Sequence, residues 1–159
     1  MIEQKILLVD DEPANLVSLE AILEDEGREL LKAESGPEAL KILLREDVSL
    51  VLLDVQMPEM DGFEVAELMR NRKNTQTIPI IFVTAISKED QYVFKGYQVG
   101  AVDYLFKPLD PTILKSKVDF FLKLDRERRE LQEKLKQSQA HRAAYEQAKR
   151  SGGSADDDG

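Results

Sequence analysis

Three short runs, Ile6-Leu7-Leu8-Val9, Leu50-Val51-Leu52-Leu53 and Ile80-Ile81-Phe82-Val83, are apolar without interruption. A strand with one wet face alternates polar and apolar residues; these runs do not, and they suit the middle of a parallel sheet covered on both faces. Two mixed stretches complete a set of strands: residues 29–33 (Glu-Leu-Leu-Lys-Ala), polar enough for an edge, and residues 102–106 (Val-Asp-Tyr-Leu-Phe). Helical patterns fall between them. Residues 13–26 place Leu16, Leu19, Ile22 and Leu23 on one face and stop at Gly27. Ser35-Gly36-Pro37 opens a second helix with Ala39, Leu40, Leu43 and Leu44 inward. Asp61 caps a third running to about Arg72, Ser87 starts a fourth ending near Gly100, and a fifth begins after Pro108 and Pro111. Strand and helix alternate throughout, which predicts right-handed crossovers and an α/β fold with a doubly wound parallel sheet.

Composition narrows the chemistry. The chain has 159 residues, with Lys plus Arg 22, Asp plus Glu 31 and a formal charge of −9, as expected for one soluble domain with an appendage. No apolar run is long enough to cross a bilayer, and the first residues lack a signal peptide's pattern, so a cytoplasmic location is expected. With no cysteine, disulfides and thiolate metal sites are excluded, and a single histidine argues against a zinc site or a Ser-His-Asp triad. The charge is uneven. Residues 1–111 carry 22 acidic and 11 basic side chains, a balance of −11, whereas residues 112–150 carry 6 acidic and 11 basic, a balance of +5. The last residues, 151–159, read as a disordered acidic tail.

In doubly wound sheets, ligands bind beyond the carboxyl ends of the strands. Those ends carry Asp10 and Asp11 after the first strand, Asp54 after the third, Thr84 after the fourth and Lys107 after the fifth. Each alone has a plain structural use: Asp10 and Asp11 complement a helix dipole, Asp54 shapes a turn, Thr84 fills a strand and Lys107 sits in a loop. Together they make a set that is incomplete at rest, because three carboxylates crowded at one edge repel and call for a cation. Mg²⁺, or Mn²⁺ in its place, takes oxygen ligands of this kind. With Asp10 and Asp11 on the metal, Asp54 can serve as ligand and as nucleophile toward phosphorus. The metal, the Lys107 ammonium and the Thr84 hydroxyl would neutralise the phosphoryl oxygens.

At these residues the chain resembles the receiver domains of two-component response regulators. Val9-Asp10-Asp11-Glu12-Pro13, Leu53-Asp54-Val55-Gln56-Met57-Pro58-Glu59-Met60-Asp61-Gly62, Val83-Thr84-Ala85, Gly100-Ala101-Val102-Asp103-Tyr104 and Lys107-Pro108 follow the family's motifs in order, over about residues 4–122. The resemblance implies a flavodoxin-like fold with strand order 2-1-3-4-5, and a phosphoryl group taken from a phosphohistidine on a sensor histidine kinase or histidine phosphotransfer protein. It makes Asp10 and Asp11 the metal-binding acids, Asp54 the phosphoacceptor, the backbone carbonyl of Gln56 a further metal ligand and Lys107 the phosphoryl contact. Thr84 and Tyr104 match the pair that repositions on phosphorylation, and the Lys107-Pro108 bond is usually cis in the family. Ala85 leaves room for the phosphoryl group, Gly62 and Pro58 shape the loop after Asp54, and Gln56 and Ile86 occupy variable positions near the acceptor. Apolar, branched Ile86 implies slow self-dephosphorylation, in minutes to hours. The chain is therefore expected to be a signalling domain and not an enzyme on a separate substrate.

Other readings fit less well. Metal-dependent phosphatases and mutases that form an aspartyl phosphate place the nucleophile after the first strand with a second acid two residues on, and here Asp11 directly follows Asp10. A flavodoxin-type cofactor binder needs a Gly/Ser/Thr-rich loop after the first strand, and a P-loop enzyme needs a glycine-lysine motif; both are missing.

Helical character continues past residue 122, where receiver domains end. Residues 112–150 contain no glycine or proline, and a single helix there would approach about 60 Å. Steps of three and four visit Leu114, Lys117, Phe121, Leu124, Arg128, Leu131, Leu135, Ser138, Arg142 and Tyr145, a coiled-coil seam interrupted by Arg128 and Arg142. A parallel homodimer is one expectation, a solvated extension the other. The division expected is a receiver over 1–122, a helical extension over 123–150 and the tail over 151–159. His141 lacks the acid and proline that follow phosphorylated histidines in dimerisation domains, and reads as a solvated helix residue. No helix-turn-helix pattern accompanies the basic helix, so no DNA-binding domain is expected, and the output would lie in another domain or protein.

Overall fold

The computed structural model describes residues 3–85 and 103–156, with side chains through residue 152. Five parallel strands form one sheet in the order β2-β1-β3-β4-β5. They are β1 (Gln4–Val9), β2 (Arg28–Ala33), β3 (Leu50–Asp54), β4 (Ile80–Thr84) and β5 (Asp103–Phe106). Helix α1 (Pro13–Leu23) follows β1, α2 (Gly36–Arg45) follows β2, α3 (Gly62–Arg70) follows β3, and α4 (Pro111–Asp156) follows β5. This is the expected flavodoxin-like topology. The helix expected from Ser87, with Ile86 and the Gly100-Ala101-Val102 motif, lies outside the described residues.

The uninterrupted apolar runs have the cause inferred for them, because both faces of the sheet are covered. Leu7, Val9, Val51, Leu53, Ile80 and Phe82 point to one side, where they pack with α2 and α3 residues such as Ala39, Ile42, Phe63 and Met69. Ile6, Leu8, Leu50, Leu52, Ile81 and Val83 point to the other, against Leu16, Leu19 and Leu23 of α1 and Leu114, Val118 and Leu122 of α4. Strand alternation thus splits one apolar run between two cores. Among the described residues polar β2 pairs only with β1, as an edge strand does.

Helix ends follow local chemistry. Ser35 and Asp61 cap α2 and α3, their side chains accepting the backbone N–H groups of Glu38 and Glu64. Helix α1 ends at Leu23 and not at Glu26, because Glu24 already leaves helical geometry with ψ 126°. The chain then turns through Gly27 at φ 81°, and the Gln4 N–H donates to the Gly27 carbonyl at 3.1 Å. Helix α3 stops at Arg70, two residues before the expected Arg72, and one Arg70 guanidinium nitrogen donates to the carbonyls of Gln76 at 3.0 Å and Ile78 at 2.8 Å. That holds the connection into β4.

Two further expectations need correction. Leu44 is 60% exposed, and Ile42 occupies the core instead. At 100° per residue Leu44 lies about 140° round the helix from Ala39, whereas Ile42 and Leu43 flank Ala39 within about 60°. At the other end of the chain, α4 runs to Asp156 and so takes in residues expected in a tail; the glycines there weaken a helix without clashing with it. The chain divides into two compact units, Met1–Leu122 and Lys123–Gly159.

The corrected phase of α2 has a measurable consequence. Ile42→Ala is expected to lower the urea-unfolding free energy by about 2–4 kcal/mol, and Leu44→Ala to change it by less than about 0.5 kcal/mol.

Candidate functional site

Parallel strands that end together bring their following residues together. Asp10 follows β1 and Asp54 ends β3, on neighbouring strands, and Asp10, Asp11 and Asp54 each offer an oxygen within 4.8 Å of the others. Among the described residues this is the group of acids able to hold a metal ion. Asp10 and Asp54 are buried, and Asp11 is half-buried. Lys107, directly after β5, extends its ammonium to 3.3 Å from Asp10 Oδ2 and 4.0 Å from Asp54 Oδ1. Its peptide bond to Pro108 is cis, as the resemblance implied, and its own N–H donates to the Thr84 carbonyl at 2.8 Å. The sheet thus brings four of the expected residues into one cluster.

Asp10 is the most tightly held. Its Oδ1 accepts the Glu12 backbone N–H at 2.9 Å and its Oδ2 the Asn15 side-chain amide at 3.1 Å. Asn15 was not among the residues singled out from sequence. A polar residue in the first turn of an apolar helix is the one signal that could have marked it. Beside Asp10 a pocket of about 280 Å³ opens between α1 and the Lys107-Pro108-Leu109 segment that follows β5, lined by Asn15, Leu19, Ile22, Val83 and Leu109 among others.

Asp54 is the electrostatically strained member. Burial pushes its carboxyl from the ordinary 3.8 up to about 6. Lys107 pulls the other way, Asp10 and Asp11 push it further up, and the Gln56 backbone N–H bonded to the carboxylate lowers it. The Gln56 N–H therefore has a place at the site.

The loop after Asp54 is bent sharply to keep the acid there. Glu59 has φ 67°, and the Met60 N–H reaches back to the Pro58 carbonyl at 2.7 Å, closing a three-residue γ-turn. The Gly62 N–H then donates to the Val55 carbonyl at 2.9 Å. A Cβ on Gly62 would stand 2.3 Å from the Asp54 carbonyl oxygen, so only glycine allows this close approach.

Thr84 and Tyr104, on the neighbouring strands β4 and β5, are placed differently. Asp54 pairs with Val83 across the sheet, which sets Thr84 one residue further along the same edge; it is buried. The Tyr104 ring is buried in an aromatic row. Its centroid is 5.4 Å from that of Phe82 and 6.0 Å from that of Phe106, and Phe82 in turn meets Phe63 edge-on at 4.9 Å.

A flavodoxin-like sheet carrying a buried carboxylate, two neighbouring acids and a lysine at its carboxyl edge defines a class of phosphoaccepting signalling domain. Residues 6–119 match the family model described as the response regulator receiver domain, and the chain belongs to that family. It is 44% identical over 114 residues to a probable cyclic di-GMP phosphodiesterase of Vibrio cholerae, covering 71% of this chain and 25% of that protein. It is 39% identical over 113 residues to Protein PilH of Pseudomonas aeruginosa, covering 70% of this chain and 93% of that one. The chain thus spans a quarter of one relative and nearly all of the other. Among solved structures, chemotaxis protein CheY4 of Vibrio cholerae superposes with a TM-score of 0.70 at 29% identity, covering 75% of this chain and 98% of that one.

Two outcomes follow from the site's geometry. Because the folded value for Asp54 lies above the unfolded one, the native state binds more protons than the unfolded chain between about pH 4 and 6. The stability this contributes is present at acid pH and lost as pH rises through that window. In metal-free buffer, raising the pH from 4 to 7 should therefore cost the wild type about 1–3 kcal/mol more unfolding free energy than Asp54→Asn, by urea titration. Gly62→Ala, by forcing the Asp54 backbone to move, is expected to lose about 1–3 kcal/mol in the same assay.

Proposed function

We propose that this chain accepts a phosphoryl group on Asp54 from a phosphohistidine of a sensor histidine kinase or histidine phosphotransfer protein, and relays a two-component signal by changing conformation. The observation that carries this reading is the convergence of Asp10, Asp11, Asp54 and Lys107 at one sheet edge. An Asp54 carboxylate oxygen attacks phosphorus, the phosphorus–nitrogen bond breaks, and the donor imidazole departs with its electron pair, leaving an acyl phosphate. Lys107 faces the attacking group and would take one phosphoryl oxygen. Thr84, one step along the same edge, would take another.

An all-oxygen donor set with atoms this close fits a hard divalent ion, Mg²⁺ or Mn²⁺. Asp10, Asp11, Asp54 and the Gln56 backbone carbonyl would hold it, and when bound it supplies positive charge for the phosphoryl oxygens. Asn15 and the Glu12 N–H keep Asp10 oriented toward the cluster.

The face offered to the phosphodonor is the outer side of α1. It exposes Ala14, Val17, Ser18 and Ala21, an uncharged surface beside the acid-edge pocket. Val17 is 65% exposed. On phosphorylation, Thr84 would shift toward the new oxygens and Tyr104 would move within the Phe63-Phe82-Tyr104-Phe106 row, changing the adjoining surface. Residues 1–122 act as the receiver and 123–150 as a helical extension that dimerises, so that the switch alters dimer geometry. The output belongs to a further domain or protein; the quarter-length match to the Vibrio relative fits a module coupled to others. No helix among the described residues is long and apolar enough to cross a membrane, which accords with a cytoplasmic site of action. The chain acts on no separate substrate and catalyses only its own transfer and slow dephosphorylation.

Incubation with acetyl phosphate and Mg²⁺ should add the mass of one phosphoryl group, absent in Asp54→Asn and in wild type with excess chelator, and the adduct should decay over minutes to hours. Repeated turnover of a small phosphomonoester, or an adduct that persists in Asp54→Asn, would overturn the assignment. Val17→Asp should leave uptake from acetyl phosphate unchanged and slow transfer from a phosphohistidine donor; equal slowing of both would remove α1 as the docking face.

A further inference from the structure

Within the unit Lys123–Gly159, every residue of 131–150 is exposed. The exposed large apolar side chains of α4 within this unit are Leu124, Leu131, Leu135 and Tyr145, 46%, 66%, 58% and 65% exposed. At 100° per residue they fall in a sector about 80° wide. The earlier seam positions are unavailable to it, because Leu114 is fully buried and Phe121 packs against the sheet core. A helix with so little apolar surface is marginal alone, and its one stripe is the narrow seam of a coiled coil.

We propose that this face pairs with the same face of a second copy, in parallel and in register, and that Arg128 and Arg142 fix that register. The proposal rests on the dimerising role given to the extension above. In heptad terms Leu124, Leu131, Ser138 and Tyr145 occupy d, and Arg128, Leu135 and Arg142 occupy a. Arginines at a would repel their own copies, but each is met by a carboxylate of its own helix that flanks the seam. Arg128 Nη2 lies 3.0 Å from Asp125 Oδ1, and Arg142 Nε lies 3.5 Å from Glu146 Oε1. Asp125 is buried and is shared with Arg129 at 2.8 Å, so this carboxylate is held in place. The arginine stems can cover the neighbouring leucine layers while their heads reach the rim.

Charge on the flanks selects the orientation. In a parallel pair, each g residue faces the e residue five places on in the other copy: Glu127 with Gln132, Lys134 with Gln139, and His141 with Glu146. None is a like-charge pair. The antiparallel arrangement that stacks Leu131 on Leu135 of the second copy sets Lys134 against Lys134. Slipping the parallel pair by one heptad places Leu135 against Arg142 and Leu131 against Ser138, losing both central leucine layers. In-register pairing keeps Leu124, Leu131, Leu135 and Tyr145 each against itself.

The absence of cysteine makes the test direct. In the full chain, Leu124→Cys and Ser138→Cys are oxidised separately with copper phenanthroline, after sedimentation has established the mass of wild type and of each variant. The expected result is a wild-type dimer and self-linked covalent dimers from both variants. Leu131→Asp/Leu135→Asp should sediment as a monomer while still taking one phosphoryl group from acetyl phosphate. A dimeric wild type whose Leu124→Cys or Ser138→Cys variant, itself dimeric, fails to self-link overturns the parallel register and leaves the dimer standing. A wild type monomeric at micromolar concentration, with and without a phosphoryl mimic, overturns both.

Discussion

The mutual repulsion of three carboxylates gathered at one edge of the sheet is the constraint on which the rest of the site depends. Asp10, Asp11 and Asp54 offer oxygens within 4.8 Å of one another, and Lys107 is the ammonium that reaches two of them. Among the described residues, this one lysine does not balance three acids. Burial sharpens the imbalance, since the ionised form of Asp54 is disfavoured by desolvation before its neighbours are considered. Such a cluster stores unfavourable energy that a divalent cation would relieve, which ties the proposed chemistry to the resting structure.

Holding that arrangement requires rigidity beneath it. The central strands β1, β3 and β4 are buried on both faces, so their carboxyl ends are fixed relative to one another by two cores. Above the sheet, the γ-turn at Glu59 and the close approach of Gly62 to the Asp54 carbonyl leave the loop after Asp54 little freedom. The Thr84 carbonyl anchors Lys107 from the neighbouring strand. The aromatic row through Phe82 and Tyr104 connects this edge to the α3 side of the core.

The sheet was legible from sequence because fully buried parallel strands read as unbroken apolar runs, and the strand-end acids were legible because topology places strand ends together. Helix phase was less so. Leu44 and Ile42 are equally apolar, and only the helix's rotation against the sheet distinguishes them. Helix α1 was plainer: Leu16, Leu19, Ile22 and Leu23 share the face expected inward, and Val17, on the opposite side, is exposed. Asn15 escaped notice because a single amide carries no periodic signal, and its bond to Asp10 exists only once α1 is docked. The raised carboxyl of Asp54 is likewise a property of burial, which residue identity does not encode. Leu114 and Phe121 fit the heptad seam by spacing alone, and tertiary packing assigns them to the core.

The most direct test of the account is the thermal unfolding midpoint of the wild type with and without Mg²⁺, at pH 7 and at pH 5. If relief of carboxylate repulsion is what the site is built for, Mg²⁺ raises the midpoint clearly at pH 7, where Asp54 is mostly ionised, and much less at pH 5, where it is mostly protonated. A midpoint at pH 7 that does not respond to millimolar Mg²⁺ would contradict the account.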